Sequence, residues 1–156
     1  MLCSIKKVLK LDSDIQEKFK IIAIHSNLKI FSLAFQINKY CITNFIRSNN
    51  DLKFENKSKI LHYTWNNKQK GIDFELFENK FNVEIVGSEL IESLFSFANT
   101  KELSLIESHK EVDFFIKQNC YFSTSNLIER ISKIPNVSLV YKLPSKELSE
   151  NFNLDI

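Results

Sequence analysis

Four apolar residues in succession, Ile21-Ile22-Ala23-Ile24, stand between Phe19-Lys20 and the polar His25-Ser26-Asn27. Side chains of a strand point alternately to opposite faces, so all four can be buried only in the middle of a sheet covered on both sides. This segment therefore predicts a central strand. The period then changes. Leu28, Phe31, Phe35 and Ile42, with Ile30, Ala34, Ile37 and Cys41, recur at helical spacing behind Ser26 and Asn27, either of which can accept a bond from the first free amides of a helix. Such a helix has a wide apolar face and must pack on something. Short strands are also expected at residues 6–11, 43–48 and 52–55. Asn49-Asn50-Asp51 reads as a turn, because Asx side chains bond their own backbone and tolerate left-handed angles.

Residues 60–65 and 72–77 are rich in β-formers and flank the polar stretch 66–71, which predicts a hairpin. In its second arm Ile72, Phe74 and Leu76 alternate with Asp73 and Glu75, so one face of that strand is expected to be wet. Phe81, Val83 and Ile85 continue the alternation, and residues 89–97 read as extended. Residues 103–106 and 112–117 read as a strand pair around His109-Lys110-Glu111. Leu127, Ile128, Ile131 and Ile134 line one side of a capped helix over residues 123–134, stopped by Pro135-Asn136 before a last strand at residues 137–141.

Strand, helix, strand thus occurs near both ends of the pattern. Two helices covering one face of a mostly antiparallel, mixed sheet make an α+β two-layer sandwich. A chain of 156 residues fits one domain, expected over residues 1–144 with a polar tail at 145–156. A composition of 44% hydrophobic and 26% charged residues excludes the disordered and fibrous classes. No run approaches the ~20 apolar residues of a bilayer-spanning helix, so no membrane partner is expected. Met1-Leu2-Cys3-Ser4-Ile5-Lys6-Lys7 lacks the apolar stretch of a secretory signal, which predicts a cytoplasmic protein. Cys3, Cys41 and Cys120 are odd in number and widely spaced, as reduced thiols are, and do not form a disulfide framework or a zinc knuckle. The net charge of +2 is too even to imply a nucleic-acid or membrane field by itself.

Candidate chemistry changes this picture little. His25 ends an apolar strand just before a helix, but no second ligand sits at metal spacing, and a structural role is the stronger reading. No glycine-flanked nucleophile occurs, and Gly71 and Gly87 stand alone, so neither an acyl-transfer elbow nor a phosphate loop is present. Asp73 and Glu75 read as a solvated strand face. Arg47 and Arg130 are the only arginines among 21 basic residues. The planar fork of Arg47 suits a carboxylate or phosphate, or an internal pair with Asp51. Tyr63, Trp65, Phe74 and Phe77 form either a base-stacking platform or, more commonly, core.

In their order these segments resemble a bacterial family named for its IPExxxVDY motif, whose members have no established activity. The resemblance rests on Ile24-His25-Ser26, on Leu33-Ala34-Phe35-Gln36-Ile37-Asn38-Lys39, on Arg47 with Asp51-Leu52-Lys53-Phe54, and on Ile91-Glu92-Ser93-Leu94-Phe95. It continues through Val112-Asp113-Phe114-Phe115-Ile116-Lys117 and Lys133-Ile134-Pro135. In the naming motif this chain has Ile106-Glu107-Ser108 in place of Ile-Pro-Glu and Val112-Asp113-Phe114 in place of Val-Asp-Tyr. The resemblance implies a cytoplasmic protein with no known cofactor. It marks His25, Asn38, Arg47, Asp51 and Asp113 as candidates for a shared surface, with a fold-stabilising role as the alternative for each. The expected function is a non-catalytic module that binds another protein. An RNA-associated protein and an ACT-like small-molecule sensor are the alternatives, and an enzyme comes last. No cofactor and no metal are expected.

Overall fold

Ile21, Ile22, Ala23 and Ile24 are all fully buried, which requires cover on both faces of the strand they form. The computed structural model describes residues 19–53, 59–84 and 100–144. Within them lie β1 (Lys20–Ser26), α1 (Ile30–Cys41), β2 (Ile46–Arg47), β3 (Leu52–Lys53), β4 (Lys59–Ile60), β5 (His62–Asn67) and β6 (Ile72–Glu78). These are followed by β7 (Lys80–Glu84), β8 (Thr100–Ser104), β9 (Phe114–Gln118), α2 (Thr124–Ser132) and β10 (Val137–Lys142). Six strands form one sheet in the order β10-β1-β9-β6-β5-β2, and every neighbouring pair in it is antiparallel. The class is α+β, with both helices on one face of an antiparallel sheet.

Alternation of direction through that order makes β1 and β2 run parallel to each other, and likewise β9 and β10. Each strand-helix-strand unit therefore joins parallel strands without placing them side by side: β1 is inserted between β9 and β10, and β9, β6 and β5 stand between β1 and β2. Ile22, Ile24, Phe74, Leu76, Phe114 and Ile116 face the helices, where they meet Ile30, Leu33, Ile37, Leu127 and Ile131. Ile21, Ala23, Phe77 and Phe115 point the other way into a second core with Ile60, Phe81, Ile106, Val112 and Leu143. The β3–β4 and β7–β8 ribbons thus roof the face that strand alternation in the sequence leaves wet. Glu75 shares the face of Phe77 beside His62, with only 13% of its side chain exposed, contrary to the solvated position expected for it.

Local chemistry explains the boundaries. The β5–β6 hairpin turns through Lys68–Lys70, where the Asn67 side chain accepts from the Lys70 amide at 3.1 Å, and Gly71 closes the turn at φ +61. The Ser123 hydroxyl caps α2 by accepting from the Asn126 amide at 3.4 Å, as expected. Helix α1 departs from expectation, since its cap position is Lys29 with no side-chain bond. The Ser26 hydroxyl is used one turn earlier, accepting from the Leu28 amide and donating to the Asn136 carbonyl. Residues 103–106 and 112–117 do not pair with each other either. Strand β8 pairs with β7, while β9 pairs with β1 and β6, because Phe114, Phe115 and Ile116 are all buried and need a central place. The readings at residues 6–11, 89–97 and 145–156 lie outside the described residues.

Candidate functional site

Two of the five residues singled out in the sequence hold the backbone. Asn38 on α1 accepts from the Phe45 amide at 2.7 Å and from the Thr43 hydroxyl at 2.9 Å, and donates to the Phe45 carbonyl at 3.0 Å. It thereby folds the chain back after the helix. Asp113 accepts from the Ser26 amide at 2.9 Å with one oxygen and pairs with the Lys80 ammonium at 2.7 Å with the other, tying the end of β1 to the start of β7. Next to it is Asn79, fully buried, which donates to the His109 and Val112 carbonyls and accepts from the Ile106 amide. Gln118 does comparable work before α2, donating to the Cys120 and Phe122 carbonyls and accepting from the Thr124 hydroxyl. Sequence reasoning missed both amides. The available signal was an Asx or Gln at a junction between β-formers, where a side chain can replace backbone partners.

His25 stacks on Tyr141, with ring centroids 5.8 Å apart, and Asp113 reaches this strand at Ser26. Arg47 and Asp51 are brought together as an ion pair. The guanidinium also donates to the His62 carbonyl at 3.2 Å and lies 5.9 Å over the Tyr63 ring. The candidates therefore occupy separate places: the Arg47–Asp51 pair beside β5, Asn38 on α1, and His25 and Asp113 on the β1–β9 side. Trp65 stacks on Phe74 at 5.3 Å, with Phe45 and Phe122 against the pair, so these rings are committed to one another.

His62, which the sequence did not single out, is 5% exposed, and neither ring nitrogen reaches a hydrogen-bond partner among the described residues. Its Nε2 is 3.9 Å from Glu75 Oε2, too far for a hydrogen bond, and that oxygen is unpartnered as well. Burial is the main cause of both pKa shifts. It pushes the Glu75 carboxyl up against the opposing pull of Lys117, and it pushes the His62 imidazole down, with Arg47 and Lys117 adding to the effect. The Asn50 carbonyl and Asp51 work the other way on His62. Burial therefore disfavours the charged form of both partners. Burial also pushes the Cys41 thiol up to about 11 and raises that of Cys120, which disfavours the nucleophilic thiolate in each. Among the described residues no three His, Cys, Asp or Glu side chains gather closely enough to hold a metal.

The outer side of α1 is organised differently. Ile30, Leu33, Ala34 and Ile37 are at most 2% exposed, yet Phe31 is 57%, Phe35 65% and Ile42 80% exposed. At about 100° per residue Tyr40 lies about 140° from Phe35 and about 180° from Phe31 around the helix. Tyr40 shares an open cleft with Ser125, Asn126, Glu129, Arg130 and Lys133 of the α2 side, so the two phenylalanines face away from α2. Ile42 follows them at φ +56, ψ +47, a left-handed conformation that is strained for a β-branched residue. Asn38, gripping Phe45 and Thr43, holds the chain on either side of it in place. Tyr121 and Leu139 are also exposed, but single exposed apolar residues are ordinary. Two phenylalanines on one flank of one helix, with a third large apolar residue just past its end, are not. No family model, no curated protein and no solved structure matches the chain.

Proposed function

We propose that the protein is a non-catalytic interaction module of the cytoplasm and that the outer flank of α1 receives another protein. One observation carries the reading: Phe31 and Phe35 are 57% and 65% exposed on the side of α1 away from α2, and Ile42, just past the end of the helix, is 80% exposed. Their exposure contributes nothing to this core, and covering each would gain about 1.5–3 kcal/mol. A left-handed Ile42 costs on the order of 1–3 kcal/mol, and strain of that kind concentrates where a surface is used. The free thiols of Cys41 and Cys120 support a reducing compartment. Membership of the IPExxxVDY-motif family belongs to the same proposal and rests on the motif residues alone.

The test is capture of the tagged chain from its host at low salt, with and without nuclease, beside Phe35→Ser and Leu139→Ser. A stoichiometric protein lost only with Phe35→Ser supports the reading. A partner retained by Phe35→Ser sinks it, and a nuclease-sensitive set of partners favours RNA.

A further inference from the structure

We infer that His62 and Glu75 form a proton-operated fastener, which involves neither Phe31 nor Phe35. As pH falls, the Glu75 carboxyl takes up a proton, donates it in a hydrogen bond to the neutral His62 imidazole, and thereby tightens the turn over residues 47–51 onto the β5–β6 hairpin. In the β5–β6 register His62 stands opposite Phe77 and Thr64 opposite Glu75, so the two titratable side chains are diagonal neighbours on one face of the sheet. His62 is 5% exposed, and its Nε2 is 3.9 Å from Glu75 Oε2. The Asn50 carbonyl also faces the ring. Both neighbours accept hydrogen bonds when the carboxyl is ionised, whereas a neutral imidazole has one N–H to offer and a lone pair on its other nitrogen. The arrangement is therefore one proton short. Both ring nitrogens and Glu75 Oε2 are buried without a hydrogen bond among the described residues, and each carries a desolvation cost. A proton on the carboxyl removes the mismatch: its O–H donates to one ring nitrogen, and the other keeps an N–H for the Asn50 carbonyl.

The surroundings favour the carboxyl over the imidazole as the seat of that proton. Burial is the largest influence on both groups and disfavours carboxylate and imidazolium alike. Around His62, Arg47 on β2 and Lys117 on β9 oppose a further positive charge, while the Asn50 carbonyl and Asp51 in the turn favour one. Around Glu75, Asp73 on the same strand adds to the effect of burial, while Lys117 and the Asn119 side chain, 3.5 Å from Oε1, favour the ionised form. A proton on the carboxyl leaves both groups uncharged. The turn is what that proton secures. The Ser48 amide donates to the His62 carbonyl at 2.8 Å and the Arg47 guanidinium donates to it at 3.2 Å, while the Ser48 hydroxyl donates to the Asn50 carbonyl at 3.0 Å. The main chain of His62 thus already holds residues 47 and 48, and its ring meets residue 50 of the same turn. A ring fixed by Glu75 holds Asn50 as well, so the Ser48 amide is released less often. Because the folded pKa of Glu75 lies above the ordinary 4.5, the fastening is complete below that value and is lost as pH rises through the folded one.

The test follows the full chain by NMR from alkaline to acid pH, reading the Glu75 carboxyl carbon, the His62 ring nitrogens, and hydrogen exchange of the Ser48 amide corrected for its intrinsic pH dependence. The Glu75 carbon is expected to titrate above 4.5 with the imidazole still neutral. Protection of the Ser48 amide is expected to rise about fivefold through the same midpoint, the effect of one added hydrogen bond. Glu75→Gln, whose amide is an uncharged donor at every pH, is expected to hold the acid level of protection throughout. Titration of Glu75 at or below 4.5, or an imidazolium formed while Glu75 is still ionised, overturns the assignment. So does protection of Ser48 that fails to follow the Glu75 titration, or a step in protection that persists in Glu75→Gln. A thermal melt checks that the variant folds; if it does not, the titration and exchange of the unsubstituted chain decide alone.

Discussion

The two faces of α1 are built from the same kind of residue. Ile30, Leu33 and Ile37 are fully buried, whereas Phe35, one turn from neighbours in the core, is 65% exposed. The same division separates two polar corners. Asn79 is fully buried with three partners on its side chain, while His62, 5% exposed, has the Asn50 carbonyl and Glu75 nearby but no well-formed hydrogen bond at either nitrogen among the described residues. Groups whose interactions are complete hold the fold. Groups left incomplete do not, because burial without partners and exposure of large apolar surface both carry a cost.

Substitutions can break or sharpen this contrast. The largest effect is expected from Leu33→Ala, which opens a cavity between α1 and the sheet and should lower stability by about 2–5 kcal/mol in urea melts. A loss as small as that of an exposed site would deny that this face is the engaged one. Asn79→Ala strands the Ile106 amide and the His109 and Val112 carbonyls, and should cost about 3 kcal/mol. Ile42→Asn should act in the opposite sense, raising stability by about 1 kcal/mol by relieving the left-handed isoleucine while weakening partner capture. A destabilised Ile42→Asn protein would mean that the side chain is not strained where it stands.

The shallowest effect concerns pH. The folded-state pKa of Glu75 lies above its ordinary value near 4.5, so the stability it contributes is complete below that value and is lost as pH rises through the folded one. His62 is held below its ordinary value near 6.5, so its contribution is complete above that value and is lost as pH falls through the folded one. Glu75→Gln should flatten the decline of stability above pH 4.5 in melts across the range. An unchanged slope would place the titration elsewhere.

Much of the fold was legible because it depends on local pattern. The apolar run of β1, the alternation and polar turn of β5–β6, and the Ser123 cap of α2 each carry their own signal. The roof over the second face was not, because alternation along β6 shows which residues share a face and says nothing of what covers them. Glu75 is shielded beside His62 and Lys117, which come next to it only when β5 and β9 pair with β6. Within the site, the Arg47–Asp51 pair was readable from a rare arginine beside an Asx turn. Asn79 and Gln118 resemble any loop amide until their backbone partners are assembled. Phe31 and Phe35 read as core because helical period records that a residue is apolar, not which side of the helix the sheet covers.

A contact of the outer flank of α1 with another protein is read out by photo-crosslinking in the host from a benzophenone-bearing phenylalanine analogue at position 35, with position 139 as the control. Both positions are exposed, 65% and 53% respectively. One discrete crosslinked protein is expected from position 35 and none of that mass from position 139. No product at 35, or the same set of products from both positions, would contradict it.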